Sequence, residues 1–67
     1  MLLKLKEFAA NKIKEFEDNK KAIPVSWVPY LDAIKIVLEL VEFFMGPEGK
    51  SIVNEILVAI DAFEHLP

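Results

Sequence analysis

The sequence predicts an all-α fold of three helices, the second and third forming an antiparallel hairpin, with the domain assembled as a homodimer. Three observations lead there. Apolar residues recur every three or four positions in three separate segments. Proline and glycine divide those segments, at Pro24 and Pro29 and again at Gly46, Pro47 and Gly49. Hydrophobic residues make up 54% of the 67, more than one small interior readily holds. Residues 1–67 read as a single domain, because no repeat, low-complexity tract or linker interrupts them.

In the first segment Leu2, Leu5, Ala9, Ile13 and Phe16 fall within a stripe roughly 80° wide at the helical period, with lysines and acids around the rest. This predicts a one-sided helix from about Leu2 to Asn19 that frays through Lys20 and Lys21, whose charge suits a helix C-terminus. The second segment is different. Asp32, Lys35, Glu39 and Glu42 share one narrow polar strip, and apolar side chains fill the remaining arc of roughly 240°. Ser26 is placed to cap its start, although Pro29 disturbs the first turn. The third helix, from about Pro47 to His65, sets Ile52, Val53, Ile56, Ala59, Ile60 and Phe63 on one side. Pro47 suits a first helical position and Gly46 the end of the preceding helix, so the short connection predicts a hairpin.

Two neighbours, one of them with only a narrow stripe, cannot cover the apolar arc of the second helix. The surplus predicts self-association, with a two-fold dimer as the commonest closed solution. Ile36, Val37, Leu40, Phe43, Phe44 and Leu57 are the expected interface residues. Trp27 and Tyr30, beside two prolines, are candidate anchors for a partner; the competing reading has them close the end of the helical core.

Charge and composition narrow the function classes. The net charge is −3, with six lysines against four acids in residues 1–21 and two lysines against seven acids in the remainder. Interleaved signs in the first segment read as a solvated helix face rather than a basic arm. Without a single arginine, and with a negative balance, nucleic-acid binding is not expected. Cysteine is absent, so neither disulfides nor thiolate metal sites are available. Charges at Lys35, Glu39 and Glu42 interrupt the longest apolar run, which argues against a transmembrane helix, and the charged start argues against a signal peptide. Together these features favour a cytoplasmic location.

Several patterns imitate chemistry without supplying it. Gly46-Pro47-Glu48-Gly49-Lys50-Ser51 resembles the end of a phosphate-binding loop, but the required first glycine falls on Phe44 and Pro47 lacks an N–H. Asp61 and His65 share a helix face at ligand spacing, yet two ligands are too few for a metal site. Glu39 with Glu42, and Glu55 with Asp61, lie on polar strips that favour solvation over acid–base work. Lys35 has the spacing for ordinary ion pairs with Asp32 and Glu39. Ser26 and Ser51 read as turn or cap residues with no base beside them. The expectation is therefore a non-enzymatic protein with no cofactor, metal or small-molecule substrate, whose partner is itself or another protein. A membrane or lipid surface is the alternative, through the lysine-bearing first helix or the Trp27/Tyr30 end.

Overall fold

Three α-helices and one 3-10 helix make up the computed structural model, which describes residues 2–66. Helix α1 spans Leu2–Asp18, α2 Leu31–Glu42 and α3 Pro47–Glu64, with the 3-10 helix at Val25–Tyr30 leading into α2. No strand occurs among the described residues. The radius of gyration is 11.2 Å, close to the roughly 11 Å expected for a compact chain of this length. The helices therefore lie alongside one another.

The apolar stripes account for this packing. Ala9 and Phe16 from α1, Leu31, Ile34, Leu38 and Val41 from α2, and Val53, Ile56 and Ile60 from α3 are buried in one cluster with Trp27. Leu5, Ile13, Ile52 and Ala59 pack around it half-buried, while the side chain of Leu2 lies outside the described residues. Burying each large apolar side chain contributes about 1.5–3 kcal/mol. A chain without disulfides depends on that cluster. Every contact pair among the three helices is used, so α1, α2 and α3 share a common interior.

The turn after α1 departs from the sequence expectation. Lys20 and Lys21 do not fray; they hold positive φ values of 58° and 63°. The Lys21 N–H donates to the Phe16 carbonyl at 2.9 Å and the Lys20 N–H to the Glu17 carbonyl at 3.0 Å. This is the Schellman arrangement, with lysine where glycine is the usual residue. An L side chain in that conformation costs about 1–2 kcal/mol. Gly46, by contrast, has φ −70° and ψ 174° and is the N-cap of α3, using none of the freedom special to glycine. Gly49 is constrained differently: a Cβ there would sit 3.0 Å from the Met45 Cβ, so its bareness lets the hairpin turn lie against α3.

Pro24 and Pro29 shape the approach to α2. Extended backbone at Pro24 (φ −61°, ψ 142°) starts the 3-10 helix, and Pro29 lies within it. Ser26 is inside this 3-10 helix and caps neither it nor α2, whose N-cap is Tyr30 without a side-chain hydrogen bond. A proline at 29 biases Val28 away from α geometry, so the regular helix begins later than apolar periodicity alone suggests. Trp27 holds this corner to α1. Its ring stacks on Phe16 with centroids 6.4 Å apart, and its Nε1–H donates to Glu15 Oε2 at 2.8 Å.

Candidate functional site

The two faces of α2 define the candidate surface. Leu31, Ile34, Leu38 and Val41 turn inward. At 100° per residue, Ile36 and Leu40 fall on the opposite side, and Phe43 and Phe44, just past the last residue of α2, continue that side through its C-cap and turn. They are 59%, 51%, 80% and 53% exposed. Isolated surface leucines are ordinary, but four large apolar side chains on one stripe form a patch of the kind that marks interaction sites.

The other residues singled out in the sequence fall elsewhere. Val37 is half-buried at the edge of the stripe. Leu57, on α3, is half-buried and packs against the core cluster. Trp27 is 1% exposed, which excludes it as an exposed anchor and gives it the core-closing role that competed with that reading. Tyr30 remains exposed, next to Val28 and near Val25, the latter 87% exposed. All three belong to the 3-10 helix that leads into α2. The proline-bordered sequence signalled that corner without separating its inward ring from its outward one.

Charge borders the stripe on both sides. Lys35 donates to Glu64 Oε1 across to α3 at 3.1 Å, instead of pairing with Asp32 and Glu39 along its own helix. Glu64 and then the field of Asp61 and Asp32 hold the Lys35 ammonium above its ordinary pKa. On the α1 side Lys12 pairs with Glu15 at 3.2 Å and stands 5.1 Å from the Phe8 ring centroid and 5.7 Å from that of Trp27. The Trp27 indole N–H, more than Lys12, draws the Glu15 carboxyl below the usual carboxylate range despite some desolvation. Glu15 is anchored as a structural acceptor.

Cavities add little chemistry. One of about 220 Å³ lies between α1 and the start of α2, lined by Phe8, Lys12, Ser26, Trp27, Tyr30 and residues of the first α2 turn. A groove of about 350 Å³ runs between the end of α1 and α3, where Lys21 reaches Glu55 at 3.5 Å. Neither contains a buried, unpaired polar group; among the described residues no buried side-chain polar atom lacks a hydrogen-bond partner. His65 Nδ1 lies 2.7 Å from the Asp61 carbonyl oxygen and 3.5 Å from the Asp61 carboxylate at an exposed helix end. No cluster of three or more potential metal-ligating His, Asp or Glu side chains occurs among the described residues. The Gly46–Ser51 stretch is the start of α3, its Lys50 N–H bonded to the Gly46 carbonyl. No helix among the described residues is long and apolar enough to cross a membrane.

Fold and surface together describe a small all-α three-helix protein with one apolar helix face turned outward. No protein family, curated protein or solved structure matches the chain. The functional reading accordingly rests on its own residues.

Proposed function

We propose that this protein is a non-enzymatic assembly protein that associates with further copies of itself through the outward face of α2. The observation that carries the reading is the exposed row of Ile36, Leu40, Phe43 and Phe44. Surface area supports it. The chain exposes 4801 Å², whereas a self-contained globular protein of its mass exposes about 4,300 Å². Covering the stripe removes the large apolar groups from water without disturbing the buried cluster beneath them.

Light scattering after size exclusion, over a wide concentration range, tests this directly. A dimer or larger species is expected, and Ile36→Glu with Leu40→Glu should return it to a monomer of unchanged helicity. A parent chain that is monomeric throughout would refute self-association. A membrane-surface role has the exposed Val25 and Tyr30 in its favour. It predicts co-sedimentation with anionic vesicles that is lost in a Val25→Ser, Tyr30→Ser variant, and the inward position of Trp27 deprives it of the largest interfacial aromatic.

A further inference from the structure

Resting on the self-association proposed above, we infer that the partner on α2 is a second copy oriented with its α2 parallel, about a two-fold axis running along the seam. Area makes a second copy sufficient. The four exposed side chains present roughly 500 Å² per copy, so pairing two stripes buries about 1,000 Å², the lower bound for a specific interface.

The orientation follows from unlike margins. Lys35 reaches Glu64, which places α3 on one side of α2. Ala33 and Ile34 share a cavity with Phe8 and Lys12, which places α1 on the other. In helical projection Asp32 and Glu39 flank the outward stripe on the α3 side, and both are exposed. On the α1 side Lys4, Phe8 and Lys12 succeed one another at four-residue spacing and so share a face. Lys12 is shared with Glu15, which leaves exposed Lys4 as the main positive charge of that margin. No ion pair among the described residues engages Lys4, Asp32 or Glu39.

A two-fold axis lying in the interface has two limiting directions. Running across α2, it makes the helices antiparallel and sets each acidic margin against its own copy. Running along α2, it makes them parallel and sets Asp32 and Glu39 against the partner's lysine margin. Apolar contact supplies the affinity in either case; the rim charges choose between them. Parallel helix dipoles oppose the choice, but their terminal half-charges are smaller than the whole charges at the margins.

The absence of native cysteine makes the test clean, because an introduced thiol is the only one in the chain. Ile36 and Phe43 are two turns apart, about 10 Å along the helix, and a disulfide forms only when Cα atoms approach within roughly 7 Å. Ile36→Cys and Phe43→Cys, each checked for helicity and mass, should both cross-link to themselves under mild oxidation. An equimolar mixture of the two should yield no mixed 36–43 product. Mixed cross-linking, or self-cross-linking at only one position in a chain that is dimeric by light scattering, would overturn the parallel orientation and leave self-association standing. A monomer at every concentration with no cross-link at either position would overturn both.

Discussion

The inward and outward faces of α2 are built from the same kinds of residue and meet opposite environments. Leu38 has no exposed surface, whereas Leu40, two positions along, is 51% exposed. Val41 is fully buried while Phe43, a larger and more apolar group, is 80% exposed. Burial is thus set by where α1 and α3 stand, not by how apolar a side chain is. A helix with two neighbours has one face left over, and here evolution has not filled it with charge.

The strongest way to break that comparison is to truncate one leucine on each face. Leu38→Ala should cost about 2–5 kcal/mol in denaturant unfolding, because it leaves a cavity in the cluster. Leu40→Ala, measured at a concentration where the chain is monomeric, should change stability by no more than about 0.5 kcal/mol. Equal costs would mean that the outward face is covered within a single chain.

A smaller gain is expected at the α1 turn, which can be sharpened independently of either face. Lys20→Gly relieves the strain of φ 58°, and after the greater freedom of glycine in the unfolded chain is offset, stability should rise by about 1 kcal/mol. Lys20→Ala retains the strained Cβ and should give no such gain. If both variants behave alike in thermal unfolding, the left-handed turn is not a source of strain.

The smallest effect belongs to the half-exposed Glu15. Its carboxyl is held below the usual range first by the Trp27 N–H and then by Lys12. A lowered folded pKa adds stability above the unfolded value of about 4.3, and that contribution is lost as pH falls through the folded value. Glu15→Gln should therefore show a smaller drop in denaturation midpoint on acidification than the parent. An identical drop would remove Glu15 from the acid response.

Helix number and boundaries were largely legible from residue spacing. Periodicity placed α1 and α3 within a residue of their observed ends, and Pro47 stands at the start of α3 as its fixed φ requires. Local rules failed where a distant partner intervened. Lys35 had two acids at helical spacing, but Glu64, 29 positions away, took it. Trp27 beside two prolines offered a surface reading next to the favoured core-closing one, and its inward position depended on Phe16 and Glu15 being brought beneath it.

By itself the sequence determined that three amphipathic segments separated by proline and glycine form helices, and that the second carries more apolar surface than two neighbours can cover. These are properties of short-range spacing and composition, which the chain carries before it folds. Tertiary structure alone decided which part of that surface is covered. It directed Leu38 and Val41 into the shared interior, left Leu40 and Phe43 facing outward, turned Trp27 inward and put two lysines into a left-handed turn. The physical reason is that burial and pairing depend on which helices stand side by side, and a periodic pattern records the presence of a face without recording what lies opposite it.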